Sequence, residues 1–111
     1  MKKSFNEMFS ERLRLYMEYA KMTQKELAKR METSEATVSY WIKGLKVPRA
    51  DKVDKLCEIF NCKRSDLVDS NTEPASPIIN EIMEKAASLS EEEQQEVLSF
   101  ARFLVSKHKE P

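Results

Sequence analysis

The chain has few of the residues that make sharp turns, reactive sites or membrane spans. One glycine and four prolines in 111 residues are too few for a many-stranded fold and point to helices. A single histidine, His108, and two cysteines, Cys57 and Cys62, do not form a usual zinc-ligand set at these spacings. No Ser/His/Asp or Cys/His nucleophile can be assembled, because the lone histidine lies in the C-terminal tail, where it reads as a solvated helix-end residue. No apolar run is long enough to cross a bilayer. Met1-Lys2-Lys3 imitates the charged start of a signal peptide, but polar and charged residues follow it instead of an apolar stretch. These absences predict a cytoplasmic protein that is not an enzyme and uses no cofactor or metal.

Net charge is also missing, with 19 Lys and Arg against 19 Asp and Glu. The distribution is uneven, however. Residues 1–70 hold 15 basic and 11 acidic side chains, and residues 71–111 hold 4 and 8. A basic front and an acidic back suit a DNA-binding domain followed by a protein-interaction segment. The length supports one small domain with an appendage.

What the chain does have is helix punctuation. Thr23 can cap a helix, with Glu26 completing a capping box. Ser34 can cap another after a turn at Glu32-Thr33, and Gly44 is a C-terminal stop. Residues Thr23 to Gly44 therefore read as two short helices, about Gln24–Met31 and Glu35–Lys43, joined by a tight turn. A pair of this size is a common way to present a helix to the DNA major groove. Leu27, Ala28 and Met31 face inward from the first helix of the pair. Val38 with Trp41 or Ile42 shares a face of the second, which makes Trp41 a core residue rather than a base-stacking platform.

Around this pair, Ser4-Phe5-Asn6-Glu7 is a second capping box, and Phe5, Met8 or Phe9, Leu13 and Met17 recur at helical spacing behind it. The polar break at Lys21-Met22 ends that helix. A basic loop from Leu45 to Arg49 leads to a helix over about 50–60. There Val53, Leu56, Cys57 and Phe60 follow the i, i+3, i+4, i+7 pattern, so Cys57 reads as structural. Ser65-Asp66-Leu67-Val68 starts one more short helix. The stretch from Asp69 to Pro77 is polar, aperiodic and proline-containing, and reads as a linker. Ser76-Pro77 then suits a helix start. Ile78, Ile79, Ile82, Met83, Ala86 and Ala87 form an apolar stripe. Ser90 and Glu93 form a third capping box, followed by Val97, Leu98, Phe100, Ala101, Phe103, Leu104 and Val105. The expected organisation is all-α: a five-helix domain over 4–69, a linker over 70–77 and a C-terminal helical hairpin over 78–108. Two short helices cannot bury so much apolar surface on each other, so they either fold back onto the first domain or pack with a second copy; the second is expected, because the linker separates them from a complete core.

Residues 9–68 resemble the lambda repressor-like (XRE) helix-turn-helix domain. The resemblance rests on Arg12-Leu13-Arg14, Thr23-Gln24-Lys25-Glu26-Leu27-Ala28, Ser34-x-x-Thr37-Val38-Ser39, Lys43-Gly44-x-Lys46-x-Pro48 and Leu56-x-x-Ile59-Phe60. Residues 78–107 are similar to the helical segment behind such domains in phage-type repressors, with Glu96 to Ala101 at its centre. The chain is too short for the self-cleaving peptidase domain carried by many relatives. Glu32 departs from the glycine often found in the family's turn.

The resemblance implies that Gln24 bonds a phosphate and that Ser34 and Thr37 add backbone contacts. It sets Glu35, Ala36, Ser39 and Tyr40 at or beside base edges. Lys43, Lys46 and Arg49 would contact phosphates on the far side, with the minor groove within reach of Arg49. Chemically, Glu35 can accept from a cytosine amino group and Ala36 can meet a thymine methyl. No Arg or Gln of this helix is placed to read guanine or adenine bidentately, so no target sequence follows. The bland alternative for each of these residues is a solvated side chain. The resemblance implies a dimeric repressor of phage or prophage type bound to double-stranded operator DNA, open to an antirepressor or other partner protein. Two rivals remain: an autorepressing antitoxin whose tail binds a toxin, and an adaptor that has lost DNA binding.

Overall fold

Residues 3–108 are described by the computed structural model; Met1 and Lys2 of the Met-Lys-Lys start lie outside this range. Among the described residues there are seven helices and no strand. They are α1 (Phe5–Ala20), α2 (Gln24–Met31), α3 (Glu35–Ile42), α4 (Ala50–Phe60), α5 (Arg64–Val68), α6 (Pro77–Ala87) and α7 (Glu91–Lys107). The chain divides after Asn80 into two units.

The first unit is built on α1. Phe9, Leu13 and Tyr16, at i, i+4 and i+7, are wholly buried. They pack in one cluster with Leu27, Ala28 and Met31 of α2, Val38 and Trp41 of α3, Val53, Leu56 and Phe60 of α4, and Leu67 of α5. Trp41 is 4% exposed, so it is a core residue. One expectation for α1 fails, and the core takes in one residue that the sequence pattern did not single out. Phe5 lies in the first turn and remains 49% exposed, whereas Tyr16 is buried, its ring stacked 6.2 Å from that of Phe60. The Ser4–Glu7 box is only half made, with Ser4 Oγ accepting from Glu7 N at 3.1 Å.

Several helices stop abruptly, and the same turn stops four of them. The amides of Met22, Thr33, Leu45 and Cys62 each donate to a carbonyl five residues back, on Met17, Ala28, Tyr40 and Cys57. Such a turn needs a left-handed residue just before the donor. Lys21, Glu32, Gly44 and Asn61 fill that place, with φ of 52°, 56°, 75° and 52°. Only one of the four is glycine. At the end of α4 the turn sets Cys57 and Cys62 side by side as free, partly buried thiols. Burial pushes both thiols above the ordinary range.

The segment after α5, read from sequence as a linker, has no regular structure up to Ser76, but its backbone is held along its length. The Arg12 guanidinium donates to the carbonyls of Ser65 (3.2 Å), Asp66 (3.2 Å), Asp69 and Thr72 (2.6 Å). The Tyr16 hydroxyl donates to Ala75 O, and Ala75 N donates to Asp66 Oδ1 at 3.1 Å. Asp66 is itself buried and accepts Lys63 N through Oδ2 at 2.8 Å, capping α5. Both polar groups of Ala75 are thus taken by side chains from other elements. Burial, with the Asp66 carboxylate nearby, pushes the Tyr16 hydroxyl well above its ordinary range and keeps it a donor.

In α6, the amides of Ile78 and Ile79 donate to Ser76 Oγ (3.1 and 3.2 Å), with Pro77 at the first helical position, where its missing N–H costs nothing. In α7, Ser90 and Glu93 complete the predicted capping box, and these hydrogen bonds hold the Glu93 carboxyl below the usual carboxylate range. Neither helix has a buried residue. Ile82 and Met83 of α6 and Val97, Phe100 and Leu104 of α7 stay exposed.

Two stability outcomes follow from these observations. Replacing Tyr16→Phe leaves Ala75 O without its buried donor and should cost about 1 kcal/mol, read as a lower urea midpoint; an unchanged midpoint would remove the hydroxyl from the account of the held segment. Lys21→Gly relieves a left-handed β-carbon at a position with no side-chain bond. It should raise stability by about 0.5–1 kcal/mol after allowing for the looser unfolded chain, and a lower midpoint would contradict this.

Candidate nucleic-acid interface

The pair α2–α3 is fixed from both ends. At the start of α2 the capping box is complete: Glu26 N donates to Thr23 Oγ1 and Thr23 N to Glu26 Oε1, each at 3.1 Å. These hydrogen bonds to Thr23 hold the Glu26 carboxyl below the usual carboxylate range. At the turn, Glu32 adopts the left-handed conformation, Thr33 N closes on Ala28 O at 3.0 Å, and Ser34 Oγ accepts from Thr37 N at 3.1 Å. A bond that sequence reasoning did not supply joins the two helix starts, from Gln24 Nε2 to Glu35 O at 3.0 Å. It spans the turn and sets the beginning of α2 beside the beginning of α3.

The rotation of α3 is set by its back. Val38 and Trp41 are buried, and Ser10 of α1 donates through Oγ to Ile42 O, tying the end of α3 to α1. Helical geometry then turns Ala36, Ser39, Tyr40 and Lys43 to the opposite side. All ten residues singled out from sequence are at the surface. Ser34, Glu35, Ala36, Tyr40, Lys43, Lys46 and Arg49 are exposed, and Gln24, Thr37 and Ser39 are partly exposed.

The structure gathers these residues into three groups. Gln24, Ser34, Glu35 and Thr37 surround the two adjacent helix starts, where Ser34 Oγ and Thr37 Oγ1 are also 2.9 Å apart. Glu35 lies in the first turn of α3, where the helix dipole favours a carboxylate. Ala36, Ser39 and Tyr40 run along the outward face. Lys43 and Lys46 follow at the C-terminal end, with Lys46 Nζ 4.9 Å from the centroid of the Tyr40 ring. Arg49 stands apart from that turn as the residue preceding α4, and its side chain makes no capping bond there.

The residues missed by sequence reasoning are the supports. Ser10 lies on the line Ser10, Leu13, Met17 (i, i+3, i+7), a signal that its burial was readable. Gln24's bond to Glu35 O had no comparable local signal.

Residues 12–73 match the family model of the Cro/C1-type HTH DNA-binding domain. The match begins at Arg12 and includes most of the segment that Arg12 holds. The solution structure of the SOS-response transcriptional repressor LexA from Eubacterium rectale is 34% identical, with a TM-score of 0.60, covering 68% of this chain and 81% of that one. A chain from the complex of the SinR and SinI proteins has a TM-score of 0.57 at 18% identity, covering 89% of this chain and 99% of that one; it shares the fold. None of the curated proteins compared with this chain matches it. The chain belongs to the Cro/C1-type helix-turn-helix family of DNA-binding regulators.

Proposed function

We propose that this regulator is a repressor of phage or prophage type that binds operator DNA as a homodimer, with α3 in the major groove. The observation that carries the reading is the two-sidedness of α3. Its back is fixed by Val38, Trp41 and the Ser10 bond to Ile42 O, while its outward face is polar and followed by Lys43 and Lys46. A helix held this way can meet base edges without reorganising. Ser34, Thr37 and the start of α2 at Gln24 are set to take phosphates, since free amides at helix N-termini attract anions. Glu35, Ala36, Ser39 and Tyr40 are the base-facing set, and Lys43, Lys46 and Arg49 supply charge on the far side.

The homodimer rests on a second observation. The apolar stripes of α6 and α7 are exposed along their length, more surface than a lone helical segment leaves to water. A second copy of α6–α7 is the proposed cover. Two copies would set their α3 helices on half-sites about 34 Å apart. A heterologous partner is the second reading, favoured by the same exposed stripes; the SinR neighbour was itself solved with the SinI protein.

Selection of bound genomic DNA fragments by the full chain tests the DNA reading, and repeated recovery of no common sequence would refute it. On a recovered fragment, Tyr40→Ala should change base preference by about 1 kcal/mol or more at one position per half-site. Lys43→Ala should instead weaken all sequences alike and reduce the salt slope by about one per protomer. If both variants bind as the wild type does, α3 is not docked as proposed. For the dimer, Val97→Glu with Leu104→Glu in the full chain should halve the mass in solution and lower affinity by about a hundredfold or more. A dimer of unchanged mass and affinity would exclude α7 as the interface, and a wild-type monomer would favour the heterologous partner.

A further inference from the structure

The stack of Lys46 on Tyr40 carries more than a phosphate contact. Tyr40 is in the last turn of α3, 42% exposed, and among the described residues no group bonds its hydroxyl. The closing turn of the helix brings the chain straight back over it. Gly44, at φ 75°, lets Leu45 N donate to Tyr40 O at 2.9 Å, and Lys46 N donates to the same oxygen at 3.3 Å. Val47, immediately after, packs against the core. Lys46 is therefore held by its backbone to the residue whose ring it covers, and its ammonium lies 4.9 Å from the ring centroid. No carboxylate among the described residues pairs with Lys46.

We propose that Lys46 is a positioning residue for base recognition: its ammonium restrains the Tyr40 ring so that the hydroxyl is aimed before DNA arrives. This rests on the reading of α3 as the helix that meets base edges. A ring free to change rotamer would lose that freedom on docking, and the loss would fall on every sequence and on the correct one most. A cation–π contact is also stronger where water is excluded, so the restraint tightens as the interface closes. Lys46 thus affects which sequence is bound, whereas Lys43 affects only how tightly DNA is held.

The test uses the full chain, the fragment it binds best and single-base variants of that fragment. Lys46→Met should lower discrimination about three- to fivefold at the same base positions as Tyr40→Leu, with the double variant no worse than Tyr40→Leu alone. Lys46→Arg, which keeps a cation over the ring, should restore it. In the free protein, the Lys46 ε-protons should resonate upfield from ring current and return to the ordinary lysine position in Tyr40→Leu. A Lys46→Met variant that weakens all sequences equally and lowers only the salt slope would overturn the proposal, as would ordinary Lys46 shifts in the wild type. A wild-type chain with no preference among fragments would overturn the DNA reading itself and this role with it, yet leave the upfield shifts in place.

Discussion

A domain of short helices is governed by its helix ends. Each α-helix leaves its last four carbonyls without partners inside the helix, and in an eight-residue helix such as α2 or α3 that is half of them. Four helices here meet the demand with the same backbone turn, closed by one left-handed residue each. These turns also change the chain's direction within two or three residues, which lets helices this short share one core. The turn after α2 sets the start of α3. The one after α3 brings Lys46 over Tyr40, and the one after α4 places Asn61 where its side chain and carbonyl meet the beginning of α6, at Pro77 O (3.5 Å) and Asn80 Nδ2 (2.9 Å).

That constraint explains what was legible in the sequence and what was not. Start signals act over three or four residues, so the Thr23–Glu26 and Ser90–Glu93 boxes and the Ser76-Pro77 start could be read and are present. The stripe of α4 was readable because all its buried residues lie on one face. The stops at Gly44 and Lys21-Met22 were anticipated, but Lys21 and Glu32 are not residues that advertise a left-handed conformation. Their places are imposed by the core on either side, which needs the turn more than it needs the torsional relief of glycine. Tyr16 eluded the reading for a different reason. Its partner, Ala75 O, is 59 residues away, so no local pattern shows that a buried hydroxyl there would be satisfied. Arg12, Asp66 and the segment they hold are tied by contacts of the same kind, beyond the reach of any local pattern.

The candidate interface was more legible than its supports. Two large apolar residues, Val38 and Trp41, fix the rotation of α3, and everything outward of them follows from helical geometry. The identities on that face could be read from the same stretch of sequence. The Gln24 bond to Glu35 O and the seat of Lys46 on Tyr40 could not, because both depend on how closely two elements approach. They matter because they convert a set of exposed side chains into a preorganised one. Gln24 uses one amide hydrogen to join the two helix starts, and its other hydrogen and its carbonyl take no part in that bond.

The neutrality of the chain is compatible with a DNA-facing surface because charge acts locally. At physiological ionic strength, exposed charges beyond about 8 Å are largely screened, so the balance of the whole chain does not set the field beside α3, where Lys43 and Lys46 are exposed. Glu91, Glu92 and Glu93 already have a local role, since they occupy the first turn of α7, where the dipole favours them. Glu35 is the one acid on α3. Its carboxylate repels phosphates, so it is tolerable in a complex only if aimed into the groove, where a cytosine amino group can meet it. With no bidentate Arg or Gln on α3, each direct contact in the proposed complex would be weak, and weak contacts discriminate only if they are held still. The burial of Trp41, the bond from Ser10 and the restraint on Tyr40 all reduce the freedom such contacts would otherwise lose on docking. A sparse reading face of this kind requires a rigid helix behind it, and in the proposed complex sequence-dependent DNA shape would supply the rest of the discrimination.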